Sequence, residues 1–137
     1  MNADRLFNNI REETRRIVPS ELNISAIEFE GPIVVIYTKD FDKFSENTNI
    51  IKMLAAGLKK RVEIRPDPST LQDSDEVEKK LREKIPAEAE VTDFHFDYDT
   101  GVVTVEAINP SEIVGKGGQL LNDMKKECGW NVKPVRA

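Results

Sequence analysis

The chain repeats itself, and that repeat limits what it can fold into more than any other feature. Ile17-Val18-Pro19-Ser20-Glu21 parallels Lys84-Ile85-Pro86-Ala87-Glu88, which places Pro19 on Pro86 at an offset of 67. After a turn three residues longer in the second copy the offset becomes 70. Gly31 then falls on Gly101, and Ile50, Ile51, Leu54 and Leu58 fall on Leu120, Leu121, Met124 and Cys128. Val62-Glu63-Ile64 and Val132-Lys133-Pro134 also correspond. A fixed internal period means one supersecondary unit used twice, so any fold assigned here must be buildable from half the chain.

Each unit reads helix, strand, strand, short helix, loop, helix, strand. In the first copy Leu6, Phe7, Ile10 and Ile17 mark a helix face. In the second, Ser74 is placed to cap a helix whose first turn holds Asp75 and Glu76, and Val77, Leu81 and Ile85 recur every four residues. Two β-rich runs follow in each copy. Ile24–Phe29 and Ile33–Tyr37 are split by Glu30-Gly31-Pro32, and Val91–Tyr98 and Val102–Ile108 by Asp99-Thr100-Gly101, which predicts two hairpins. Phe94, Phe96 and Tyr98 alternate and should share one face of a strand. Arg65-Pro66-Asp67-Pro68-Ser69-Thr70-Leu71 reads as a stiff linker outside helix and strand. The expected class is therefore α+β, with domains at 1–67 and 68–137. Each has the order αββααβ and a three-stranded sheet carrying its helices on one face.

Composition narrows the chemistry. With 39% apolar and 33% charged residues the chain reads as soluble and cytoplasmic, with neither a membrane span nor a signal core behind Met1-Asn2-Ala3-Asp4-Arg5. One cysteine, Cys128, excludes an internal disulfide framework, and with one histidine, His95, no zinc site of the usual ligand type is expected. His95 lies in an alternating strand and reads as structural or surface. No Asp/Glu pair stands out as a general acid and base, so no catalytic residue is assigned. Cys128 and Met124 match Leu58 and Leu54 and read as core. Trp130 reads as a half-buried strand residue, with base stacking as its alternative.

Net charge is −5, which taken whole argues against nucleic acid. The distribution differs from the average. Residues 68–112 hold 4 basic and 12 acidic side chains, whereas residues 113–137 hold 5 basic and 2 acidic. That last segment opens on Ile113-Val114-Gly115-Lys116-Gly117-Gly118. Glycines at both ends of a helix–helix turn let the backbone approach a ligand closely, and the helix that follows points unpaired N–H groups at the same place. Lys116 adds a mobile charge. This suits a sugar–phosphate backbone, and it is not a P-loop, whose glycine span is longer and follows a strand. The expected contact set is Ile113, Val114, Gly115, Lys116, Gly117, Gly118, Gln119, Asn122, Lys125 and Lys126, with the strand ending at Ile108 as the opposite wall. Lys59, Lys60, Arg61 and Arg65 form a secondary basic patch, for which helix-end lysines set against the dipole are the bland alternative.

The element order and the glycine loop together resemble a type II KH domain, once per half, with Ile113-Val114-Gly115-Lys116-Gly117-Gly118 similar to that family's Ile/Val-Gly-x-x-Gly signature. With Arg65-Pro66-Asp67-Pro68 as linker and Asn109-Pro110 ahead of the loop's helix, the pair is similar to the N-terminal region of archaeal CPSF-like ribonucleases. Those β-CASP proteins are regarded as transcription termination factors. The resemblance implies a single-stranded RNA partner, uridine-rich near its 3′ end, and a groove for about four nucleotides. It also implies a zinc-dependent nuclease core downstream in a parent protein, in which homodimers occur, and no cofactor in this stretch.

At offset 70 the first copy replaces the loop with Ser45-Glu46-Asn47-Thr48. A carboxylate faces where phosphate would sit, so this copy is expected to keep the fold, with Thr48 as a helix cap, and to lose the grip. Two alternatives follow from that loss and from the net acidity. One is a protein-docking module for RNA polymerase, ribosome or a second copy. The other is a stand-alone NusA-like KH factor, against which the uneven loops count.

Overall fold

The structure, a computed structural model, describes residues 3–137. The first copy comprises α1 (Ala3–Ile17), β1 (Ile24–Glu30), β2 (Ile33–Thr38), α2 (Phe41–Glu46), α3 (Thr48–Leu58) and β3 (Arg61–Pro66). The second comprises α4 (Ser74–Lys84), β4 (Val91–Asp97), β5 (Val102–Ala107), α5 (Ser111–Val114), α6 (Gln119–Cys128) and β6 (Asn131–Arg136). Each sheet has its second strand in the centre, antiparallel to the first and parallel to the third. This is the α+β arrangement of two tandem KH domains that the sequence predicts. No helix among the described residues is long and apolar enough to cross a membrane.

The repeat extends to backbone detail. Asn23 and Glu90, at φ 47° and 52°, both close short 3₁₀ turns after the matched prolines. The same irregularity interrupts both hairpins, between Ile24 and Ala26 and between Val91 and Asp93. The change of offset is different from the sequence expectation. The β4–β5 connection has two residues more than the β1–β2 connection, and one further residue separates β5 from α5. The offset therefore steps from 67 to 69 to 70, and Gly31 and Gly101 are not equivalent positions.

Two separate cores form. Ile10, Val18, Leu22, Ile27, Val34, Ile36, Phe41, Phe44, Leu54 and Ile64 fill the first. Val77, Leu81, Phe94, Val103, Val105, Ile113, Met124, Cys128, Trp130 and Val132 lead the second. The α1 face is narrower than predicted, since Leu6 is 42% exposed while Phe7 stacks on Phe29 at 4.3 Å. Both predicted caps move by one residue. Asp73, not Ser74, caps α4 by accepting from the N–H groups of Asp75 and Glu76. Thr48 is already helical, and Asn47 precedes α3 without a side-chain cap.

The proline segment is not a free linker. Arg65 and Pro66 belong to β3, where Pro66 is tolerated as the last residue of an edge strand. The chain stays pinned beyond it, with Asp67 N–H donating to Thr38 O at 2.8 Å and Asp67 capping the 3₁₀ turn Pro68–Thr70. The second copy closes on this segment. A Cβ on Gly101 (φ 69°) would sit 2.8 Å from Pro66 Cγ and 2.9 Å from Pro66 O, so only glycine fits the approach.

Candidate nucleic-acid interface

The glycine loop forms as the sequence predicts, and its glycines have different tasks. α5 ends at Val114, and Gly115 turns the chain at φ 75°, ψ −179°, a region essentially confined to glycine. A Cβ there would meet Leu120 Cβ at 2.7 Å, so Gly115 lets the turn lie against α6. Gly117 (φ 63°) and Gly118 (φ 78°) also have left-handed backbone, but a Cβ on either would meet nothing within 4 Å. The open side of the turn is the side on which a ligand can lie against bare backbone. Gly118 precedes α6, whose first N–H groups face that side. Lys116 is exposed at the tip and pairs with no carboxylate among the described residues.

The other predicted contact residues separate. Ile113 is fully buried in the second core, because a four-residue helix can hold its place only by turning its apolar side inward. Its side chain therefore cannot line a groove; Val114 is half-buried. Gln119 donates to Asp123 at 2.8 Å. Lys126 is ion-paired with Glu46 of the first copy. The groove's second wall is also different. The cleft beside α6 is lined by residues of the edge strand β6, and the central strand that ends before Ile108 contributes none to it.

Between α6 and β6 lies a cleft of about 350 Å³, and the first copy completes it. Leu121, Asn122, Lys125, Asn131 and Lys133 face Ser45, Thr48, Ile51, Val62 and Glu63 across it. Lys125 is half-buried there, and desolvation holds its ammonium below the ordinary lysine range despite the favourable charge of Glu63. Lys133 is ion-paired with Glu63, at the position it matches in the repeat.

The secondary basic patch is smaller than predicted. Lys59 and Arg61 are exposed and Lys60 is half-exposed, but Arg65 is 5% exposed. Its guanidinium grips Glu30 through two hydrogen bonds of 2.6 and 2.9 Å, bonds Glu63 at 2.5 Å and lies over the Tyr37 ring. Glu30 in turn sits below the usual carboxylate range because of that bond. Alternation along β3 puts Arg65 on the same sheet face as Glu63, but only the folded sheet brings it to Glu30 and Tyr37, which are distant in the chain.

Trp130 is fully buried, donates Nε1–H to Gln72 O at 3.0 Å and meets Phe96 and Tyr98 edge-on at 5.1 and 5.0 Å. That arrangement excludes base stacking on its ring and puts Phe96 and Tyr98 on one face, as their alternation predicts. Cys128 is buried in the second core, as its match to Leu58 predicts, and burial pushes its thiol up. His95 lies exposed on β4, its Nε2 3.4 Å from Asp93 and 3.3 Å from Glu106.

Comparison with known proteins identifies the family. Residues 4–71 match the family model described as "Transcription termination factor FttA, KH domain". Transcription termination factor FttA of Methanocaldococcus jannaschii is 43% identical over 136 residues, covering 99% of this chain and 21% of that protein. FttA of Pyrococcus horikoshii is 41% identical over 134 residues, with 98% and 21% covered. The chain thus spans about a fifth of the length of the curated relatives it matches. Among solved structures, the crystal structure of APE1850 is 15% identical with a TM-score of 0.37, covering 95% of this chain and 96% of that one, a likeness that carries no argument. The repeat, the paired αββααβ units and the matched relatives together make this chain a member of the family of transcription termination factor FttA, in its KH region.

Proposed function

We propose that the chain is a single-stranded RNA-binding module in which residues 68–137 grip the sugar–phosphate backbone at Gly115–Gly118 and residues 1–67 are a KH copy without that grip. The observation that carries this reading is the pair Gly117 and Gly118. Both have left-handed backbone, neither has any neighbour within 4 Å of an added Cβ, and both stand at the start of α6 beside an unpaired lysine. Packing explains Gly115; left-handed backbone favours glycine at the other two, and the open space beside them supports the approach of a phosphate. In the first copy α2 and α3 meet at the single residue Asn47, with Glu46 closing α2, so no turn exists there to hold a phosphate.

The matched relatives are transcription termination factors, which supports a role for this binding in transcription termination. By resemblance, the module delivers a transcript, uridine-rich near its 3′ end, to a zinc-dependent nuclease core elsewhere in a longer protein. Its acidic remainder supports contacts with RNA polymerase, with the ribosome or with a second copy in that parent.

The test is fluorescence-anisotropy titration of labelled single-stranded RNA at two salt concentrations, comparing the wild type with Lys116→Asp/Gly117→Asp. Two carboxylates on the open side of the turn should remove binding and leave the circular dichroism spectrum unchanged. Equal binding by both proteins would move the RNA away from this loop and refute the reading.

A further inference from the structure

We infer that the outer face of the second sheet is a site for a divalent first-row metal ion of the zinc type, ligated by His95 Nε2 and by one carboxylate oxygen each from Asp93 and Glu106. The register of the sheet brings the three side chains to one point. Asp93 and His95 stand two residues apart on β4 and so share a face, and Asp93 is paired directly with Glu106 of β5. Nε2 lies 3.4 Å from Asp93 Oδ2 and 3.3 Å from Glu106 Oε1, and the three ligand atoms are all within 4.8 Å of one another. Around a tetrahedral ion with bonds of about 2.0–2.1 Å, neighbouring ligand atoms stand about 3.3–3.4 Å apart. Two of the three separations already have that value, and the third needs only a rotation of exposed side chains. Asp93 is also oriented for the task. Phe94 N–H donates to its Oδ1 at 2.8 Å, which leaves Oδ2 as the oxygen beside the imidazole.

The first copy supplies the independent sign of a cation. Like charges directly opposite one another weaken a strand pair, so Asp93 facing Glu106 calls for a positive charge. The fold itself does not demand the trio, since Ala26, Glu28 and Tyr37 occupy the matching positions of the first sheet. There the acidic residues Glu30 and Glu63 are neutralised from within, by Arg65. Arg65 pairs with Tyr37 in the parallel register, and the residue that pairs with Glu106 in the same way is Val135. The second copy therefore keeps two opposed carboxylates and lacks the guanidinium. Among the described residues neither carboxylate is ion-paired with a lysine or arginine, and only the imidazole adjoins them. One imidazole with two carboxylates is a donor set for zinc and its neighbours, whereas calcium and magnesium take oxygen ligands throughout. Three protein ligands leave a fourth position to water, as in an open site and unlike a closed structural one. Counting cysteine and histidine does not reveal such a site, because two of its three ligands are carboxylates.

The chain has one histidine, so in untagged protein every imidazole signal belongs to His95. Metal-free protein is titrated with zinc chloride by isothermal calorimetry, as wild type and as His95→Gln, Asp93→Asn and Glu106→Gln. Heteronuclear NMR of the imidazole nitrogens follows the same titration in the wild type, and circular dichroism checks the fold of each variant. The expected results are one zinc ion per chain, a shifted Nε2 signal, loss of binding in His95→Gln and at least a roughly tenfold weaker affinity in each carboxylate variant. Zinc at about ten times its Kd should raise the thermal midpoint of the wild type by about 5 °C, and magnesium chloride should neither raise it nor shift the imidazole. Absence of heat and an unchanged imidazole at millimolar zinc would overturn the inference. So would wild-type affinity in all three variants, which would place the ion elsewhere. If His95→Gln alone weakened binding, the carboxylates would not be ligands and the three-residue site would fall. Should a variant unfold, the imidazole signal of the wild type decides. No RNA enters the test, so its failure would leave the reading of the glycine loop standing.

Discussion

The glycine turn supports a prediction that separates structure from function within four residues. Gly115→Ala and Gly117→Ala add the same methyl group to neighbouring left-handed positions, yet their surroundings differ. At Gly117 (φ 63°, ψ 19°) the backbone is in the ordinary left-handed helical region and the new Cβ meets nothing within 4 Å. The cost should be the intrinsic penalty alone, about 1–2 kcal/mol. At Gly115 (φ 75°, ψ −179°) the backbone occupies a region nearly closed to other residues, costing about 1–3 kcal/mol. The new Cβ also stands 2.7 Å from Leu120 Cβ, and relieving such a contact adds roughly 1–3 kcal/mol. Gly115→Ala should therefore cost about 2–6 kcal/mol. The assay is urea unfolding followed by circular dichroism, with RNA anisotropy on the same samples. Gly115→Ala should shift the unfolding midpoint well below that of Gly117→Ala, whereas Gly117→Ala should lose RNA affinity out of proportion to its small loss of stability. Equal midpoints for the two variants would refute the claim that Gly115 is a packing glycine. Unchanged RNA affinity in Gly117→Ala would refute the claim that the open side meets the ligand.

Two further outcomes follow. Glu30 is held below the ordinary carboxylate range by its bond to Arg65, so its contribution to stability is present above the unfolded value of about 4.3 and is lost as pH falls through the lower folded value. Glu30→Gln should therefore flatten the acid limb of a stability-against-pH curve below about pH 4.3, and an unchanged acid limb would show that the pair carries no such linkage. Gly101→Ala should destabilise by about 2–5 kcal/mol, joining backbone strain to the clash with Pro66, whereas Gly31→Ala, with open space around it, should cost about 1–2 kcal/mol. Equal midpoints in urea would mean that the second copy does not close on Pro66.

What the sequence makes legible is what short-range pattern controls. Element order, the hairpins, the core roles of Met124 and Cys128 and the glycine turn all follow from period, branching and glycine placement within a dozen residues. Two differences, at the groove wall and at Arg65, come from contacts distant in the chain. Nothing local marks β6 as the edge strand beside α6, so the groove wall was placed at Ile108 on a central strand. Arg65 looked like part of a surface patch because its neighbours Lys59 and Lys60 are solvated, while its partner Glu30 lies 35 residues away. The cap assignments failed for a different reason. Asp73 and Ser74 are both competent caps, and adjacent competent residues leave the choice to tertiary packing.

The same distant contacts explain what a KH copy without its loop contributes. Glu46 stands where the repeat puts Lys116, and it closes α2 where the second copy opens a turn. Its carboxylate does not point at an empty phosphate site; it is ion-paired with Lys126 on the helix that the working loop feeds. Glu63 reaches Lys133 at the matched position of β6 in the same way. The first copy thus holds Lys133 at the cleft and Lys126 on the part of α6 outside its lining. The Glu46–Lys126 pair has half-exposed side chains on both sides, so its net worth is at most about 1 kcal/mol. A phosphate oxygen offers Lys126 a charge-assisted bond of at least that strength. The pair can therefore position the lysine without withholding it, and that gives the carboxylate in the degenerate copy a physical role.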